Sequence, residues 1–151
     1  MQLHRGIMQT FLPEPDFHES ARCLDYRRLG KQRVEVKQLL LALGQDVGPH
    51  KAPKTSSWSN HPAARMWRDS EFALTLYGIA ICEEWRNRGY NDTLLPQFEE
   101  LADQFRILVY PNWLGNKEFH DSHKSNLMRK DPTHYWWPGI PNNLEYIWPL
   151  P

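Results

Sequence analysis

Cysteine is scarce in this chain: Cys23 and Cys82 stand alone in helix-like surroundings, with no metal-ligand or paired spacing. That argues against a disulfide framework and fits buried free thiols in a reducing compartment. No apolar run approaches the ~20 residues that a bilayer span needs. The opening MQLHRGIMQTF lacks the apolar core of a secretory signal. A soluble, cytoplasmic protein with no membrane partner is expected. Neither sign of charge predominates, with 18 Lys and Arg against 18 Asp and Glu. No global field therefore marks the chain for a polyanion, and any basic surface has to be local. Repeats and low-complexity tracts are absent, and the only strand signal is RILVY, Arg106 to Tyr110.

What is abundant is aromatic: 13% of residues, seven of them Trp, alongside 12 prolines. A chain of 151 residues with this make-up has enough to bury one core, so residues 1–151 read as one compact domain with long ordered loops. Residues 1–7 read as an extension ahead of it. FLPEPDF is extended or turning because of its prolines. Asp16 then stands as an N-cap with Glu19 three residues on. One long helix is predicted from Phe17 to Leu43, ended by Gly44. GQDVGPHKAPKTSSWSN is a loop by composition. A helix from Ser70 to Arg88 follows, with Phe72, Leu76, Ile79, Ala80 and Trp85 at helical spacing and Gly89 at its end. LLPQFEELADQF gives a short helix with Pro96 near its start. KEFHDSHKSNLMRKD gives a last one halted by Pro132. The fold class is all-α, with about three main helices and an aromatic C-terminal tail.

The first helix raises the functional question, in LDYRRLGKQRVE. At 3.6 residues per turn Asp25, Arg28, Gln32, Glu35, Leu39 and Ala42 share one stripe, with Lys31 flanking it. The stripe is charged at its N-terminal end and apolar at its C-terminal end, as if one face left a core and entered a cleft. A solvated face laced by weak ion pairs is the plain alternative. Gly30 interrupts the helix where Arg27, Arg28, Lys31 and Arg33 crowd together. A missing side chain there would let a ligand approach, and a phosphate suits guanidinium forks and a lysine point charge. A second basic group lies in FHDSHKSNLMRKD: His120, His123, Lys124, Arg129 and Lys130. With no third ligand at a convincing position, these read as phosphate contacts or surface charge before a metal site. Trp136 in the run Tyr135–Trp137 is either core packing or a stacking surface for bases.

Taken in order, LDYRRL, HPAARMWRDSEFALTLYGIAICEEWRNRGYNDT and HKSNLMRKDPTHYWW resemble the pyrimidine-dimer DNA glycosylases of the endonuclease V type. TFLPEPDF and LDYRRLGKQRVE look closest to short bacterial and phage members of that group. The resemblance spans most of the chain from Met8 onward and rests on order and spacing across three helices. It implies an all-α domain whose N-terminal segment threads between helices. It also implies action on damaged duplex DNA without metal or other cofactor. In such enzymes the chain's α-amine attacks the sugar C1′ to form a Schiff base, a helix-one glutamate assists, and β-elimination follows. An α-amine, with its pKa near 8, supplies neutral nucleophile at pH 7.

Residue by residue the resemblance is incomplete. Arg27 and Lys31 fall on basic DNA-contacting positions, but Arg28 occupies the position of the essential glutamate, and Ala21 that of a histidine. The start MQLHRGI precedes the segment that should place the amine; translation from Met8 would restore the length but not the glutamate. Arginine cannot accept a proton at neutral pH. Asp25, one turn back, or Glu35, two turns on, would have to supply the acid, and Lys31 or the chain terminus the amine. Arg27, Arg28, Lys31, Gln32, Arg33, His120, His123, Lys124, Arg129, Lys130 and Trp136 are the expected nucleic-acid contacts. Two functions stay open: a glycosylase with abasic-site lyase activity, or a non-catalytic relative binding nucleic acid or a small phosphorylated nucleotide.

Overall fold

A computed structural model describes residues 8–149. The described chain holds helices and no strand: α1 (Phe17–Cys23), α2 (Tyr26–Ala42), a 3-10 turn (Ser57–Asn60), α3 (Pro62–Arg65), α4 (Glu71–Asn87), α5 (Leu95–Ala102) and α6 (Lys117–Lys130). The all-α expectation holds. None of these helices is long and apolar enough to cross a membrane.

The single long helix expected from Phe17 to Leu43 is two helices. Leu24 and Asp25 are both extended, so the chain breaks between α1 and α2. The break is satisfied from outside: the Arg88 guanidinium donates to the carbonyls of Ala21 and Arg22, and Asp25 N–H donates to the Tyr135 hydroxyl at 2.8 Å. Asp25 then serves as N-cap of α2, its carboxylate accepting the Arg28 N–H, as Asp16 does for α1 from Glu19 N–H. The other boundaries agree closely with expectation. Gly44 and Gly89 follow α2 and α4 with φ of 90° and 93°, the left-handed geometry that ends helices there.

α2 and α4 form the centre and run antiparallel: Gly30 faces Trp85, and two turns further on Val36 faces Gly78. α5 and α1 pack on α4. The buried face of α4 differs from the expected stripe. Ala73, Leu74, Tyr77, Ala80 and Ile81 are fully buried, whereas Phe72, Leu76, Ile79 and Trp85 are half-buried. α4 is apolar nearly all round, because α1, α2 and α5 all pack on it, so its apolar pattern could not single out one face.

Through this assembly runs an extended segment, residues 8–13, as buried as any helix. Having no helical ladder, it must find hydrogen bonds elsewhere. Gln32 Nε2 donates to the Gln9 carbonyl at 2.8 Å, Phe11 N–H donates to Gln32 Oε1, and the Tyr77 hydroxyl lies 2.8 Å from the Phe11 carbonyl. Leu12 is held at both ends: its N–H donates to His123 Nδ1 at 2.9 Å, and its carbonyl lies 2.8 Å from His120 Nδ1. Behind α6 the C-terminal tail returns along the helix. Leu144 and Ile147 N–H groups donate to the Ser125 and Ser122 hydroxyls, and the Tyr146 hydroxyl reaches the Thr10 carbonyl. RILVY, the one strand signal, pairs with nothing and lies in an exposed loop, Ile107 being 77% exposed. A β-prone run needs a partner edge, and an all-helical domain offers none. Cys23 and Cys82 are free thiols.

Candidate functional site

One cavity of about 280 Å³ collects the residues that the opening stripe singled out. Arg27, Arg28, Lys31, Gln32 and Glu35 line it from α2, Gln9 and Phe11 from the extended segment, and Lys130 from the last turn of α6. The stripe does run from solvent into the core. Lys31 and Arg27 are exposed, Arg28 is half-buried, Gln32 and Glu35 are buried, and Leu39 beyond them is sealed. Four cations thus surround the mouth of a cavity into which one buried carboxyl faces. Its size falls at the low end for ligand pockets.

Glu35 is that carboxyl, only 9% exposed. Burial raises its pKa from 4.5 to about 7, against the opposing pull of Lys31. A carboxyl poised there exchanges protons readily at neutral pH. Asp25, the other acid considered, is placed differently. Burial alone would raise its pKa. Hydrogen bonds from the Tyr135 hydroxyl, the Arg28 guanidinium (3.1 Å) and the Arg28 N–H outweigh burial and hold it below 3.8. Asp25 is therefore an anionic cap that braces Arg28 from behind, outside the cavity lining.

Lys130 is the other perturbed group. It is exposed, but partial desolvation lowers its pKa, and the nearby charges of Arg28, Lys31 and Arg129 lower it further.

Several expected contacts lie elsewhere. Arg33 turns away from the cavity to Asp92, Nη2 to Oδ1 at 2.7 Å, and its guanidinium stacks over Trp85. Its pairing explains why Asp92, buried and shared with Arg86, can remain charged. His120 and His123 are buried and spent on Leu12, so neither reaches a phosphate and they do not form a ligand pair. Lys124 pairs with Glu14 at 3.5 Å, and Arg129 binds the Ser125 hydroxyl and the Asn142 carbonyl, fixing the tail. Trp136 is 76% exposed and not part of the cavity lining. The chain terminus and residues 1–7, expected as an amine donor and an extension, lie outside the described residues.

Gly30 has a different role from the one its sequence position implied. A Cβ there would sit 2.8 Å from Trp85 Cη2, so the glycine admits an indole from α4 rather than a ligand. Gln9 and Phe11, two of the cavity's walls, carry no periodic signal that a sequence reading could use. The clues were FLPEPDF, whose prolines disfavour a helix there, and the family resemblance, which implies an N-terminal segment threaded between helices.

The model of the family described as pyrimidine dimer DNA glycosylase matches residues 8–98, more than half the chain. The chain belongs to the pyrimidine dimer DNA glycosylase family. No curated protein and no solved structure matches it. The family match takes in every cavity residue from the extended segment and α2 but ends before Lys130. Within this glycosylase family, then, the cavity's α2 and N-terminal walls lie in the matched stretch, and the α6 wall lies beyond it.

Proposed function

We propose that this chain is a DNA glycosylase with abasic-site lyase activity, which draws one nucleotide of a damaged duplex into the cavity between α2, residues 8–13 and the end of α6. The observation that carries the reading is Glu35, a buried carboxyl facing a cavity whose mouth is lined by Arg27, Arg28, Lys31 and Lys130. The sugar carbon under attack cannot be reached inside a base stack, so the nucleotide has to be extruded. Arg27, Arg28 and Lys31 hold the phosphates on either side of it, by charge and guanidinium forks. Glu35 stands seven residues, two turns, beyond the position where Arg28 replaces the glutamate expected there, and so faces the same cavity. Its carboxyl gives a proton to the departing base. Its carboxylate then takes the C2′ proton in β-elimination.

The surplus of cations over acids in the cavity favours a second reading, a non-catalytic relative that binds nucleic acid or a phosphorylated nucleotide. The two part in one experiment. The full chain is incubated with dimer-containing, abasic and modified-base duplexes, with and without borohydride, and its binding to duplex and to mononucleotides is titrated. Strand cleavage and a covalent trapped species are expected. Glu35→Gln should lower cleavage by about 10²–10⁴-fold with duplex binding retained. Binding with no cleavage and no trapping on any duplex would leave only the second reading.

A further inference from the structure

Tyr26 opens α2 immediately before Arg27, and it is 51% exposed. Its ring does not stand alone. Trp85 rests against Gly30, one turn on along α2. Tyr90 stacks on that indole with ring centres 4.3 Å apart, and Tyr26 stacks on Tyr90 at 6.4 Å, both pairs within 28° of parallel. The three rings form a column that starts in the packing of α2 on α4 and ends in solvent, Tyr90 being 42% exposed. Trp85 against Gly30 already makes the helix contact, so the outer ring is not needed for it. Arg27 ties that outer end to the cavity. Its Nε donates to the Tyr26 hydroxyl at 3.2 Å, its guanidinium lies 5.7 Å from the Tyr26 ring centre, and the same residue lines the cavity.

We propose that Tyr26, backed by Tyr90, is a stacking platform for the base next to the extruded nucleotide. This rests on the glycosylase reading above. Extruding a nucleotide strips its neighbours of one stacking partner. An exposed aromatic ring replaces that partner for any base, since every base has a π-face. The column fixes the ring's plane beforehand, which lowers the ordering cost of binding. The Arg27 guanidinium lies between the ring and the cavity, so the phosphate it holds is the one linking the extruded nucleotide to its neighbour. Trp136 is more exposed but stacks on no described ring, so no neighbouring ring fixes its plane. Only an unstacked base can be received, and the platform therefore favours lesion-containing over undamaged duplex. Tyr26 acts on specificity, not on the chemical step.

The test titrates the full chain and its Tyr26→Ala, Tyr26→Phe and Arg27→Ala variants against a duplex with a non-cleavable abasic site and against its undamaged counterpart, over a salt series. Denaturant midpoints are measured alongside. Tyr26→Ala should bind the abasic duplex about 5–150-fold more weakly, with the salt dependence unchanged and a far smaller loss on undamaged duplex. Tyr26→Phe restores the ring and should restore the affinity. Arg27→Ala should instead reduce the salt slope by about 1 on both duplexes. Parent-like binding by Tyr26→Ala, an equal loss on both duplexes, a loss that Tyr26→Phe shares, or a loss that comes with a reduced salt slope overturns the platform and leaves the glycosylase reading standing. If the parent chain binds neither duplex, both fall.

Discussion

A methyl group on Gly30 would lie 2.8 Å from Cη2 and 2.9 Å from Cζ3 of Trp85, closer than carbon atoms pack. The indole is held by three neighbours. Its Nε1 donates to the Asn91 carbonyl at 2.8 Å, Tyr90 stacks on it at 4.3 Å, and the Arg33 guanidinium lies over the ring at 5.1 Å. Gly30→Ala is therefore an overpacking change, costing about 1–3 kcal/mol. The better helix propensity of alanine offsets up to about 1 kcal/mol of it. A net destabilisation of about 1–2 kcal/mol is expected, read as a fall in the denaturant midpoint and in Tm. A variant more stable than the parent would contradict this packing.

Gln32 makes a second α2 prediction. One side chain serves three buried partners: it donates to the Gln9 carbonyl and accepts from Phe11 N–H and, at 2.7 Å, from the Tyr77 hydroxyl. Gln32→Leu preserves volume but strands these groups. Each buried polar group left unpaired costs about 1–3 kcal/mol, so a loss of about 2–4 kcal/mol is expected in urea titrations. Gln9 and Phe11 also wall the cavity, so duplex affinity should fall with it. Loss of stability without any loss of binding would separate the two roles.

These two residues also show what the sequence made legible. The stripe from Arg28 through Gln32 to Glu35 was readable because helical periodicity is a local property, and the cavity lies on it. The helix break at Leu24 and Asp25 was not. Its causes, Tyr135 and Arg88, lie more than sixty residues away. Asp25 was legible only as a member of the stripe; it caps α2 instead, because the Tyr135 hydroxyl anchors the break. His120 and His123 looked like surface cations because their partner, Leu12, belongs to an extended segment whose burial no pattern reveals. Gly30 looked like a ligand gap because a close helix contact and a ligand approach leave the same mark in a sequence.

The two histidines give a pH prediction. Burial lowers the pKa of each, and for His123 the neighbouring His120 adds to it. Both are thus neutral in the folded chain through the range below 6.5 in which the unfolded chain takes up protons. Their contribution to stability is complete above pH 6.5 and is lost as pH falls below it. Urea midpoints measured from pH 8 to pH 5 should drop on the acid side. His123→Leu removes one proton-binding group of the unfolded chain and should make that drop shallower. It should also lower stability at pH 8, because the Leu12 N–H loses its acceptor.

Glu35 acts with the opposite sign, and the opposition is what makes it measurable. The unfolded chain releases this proton near 4.5 and the folded chain near 7, so between those values the folded state holds the extra proton. Stability from this residue is therefore full below pH 4.5 and declines as pH rises to 7, by up to about 3 kcal/mol at about 1.4 kcal/mol per pH unit. Glu35→Gln carries no such proton. Relative to the parent it should gain stability from pH 5 to pH 8 and steepen the rise that the histidines produce. The same variant should lose strand cleavage, because an amide neither gives nor takes the proton. A carboxyl kept at a cost in stability and needed for turnover is the signature of a group held for chemistry. If Glu35→Gln tracks the parent at every pH in both stability and cleavage, Glu35 is not the buried acid of this site.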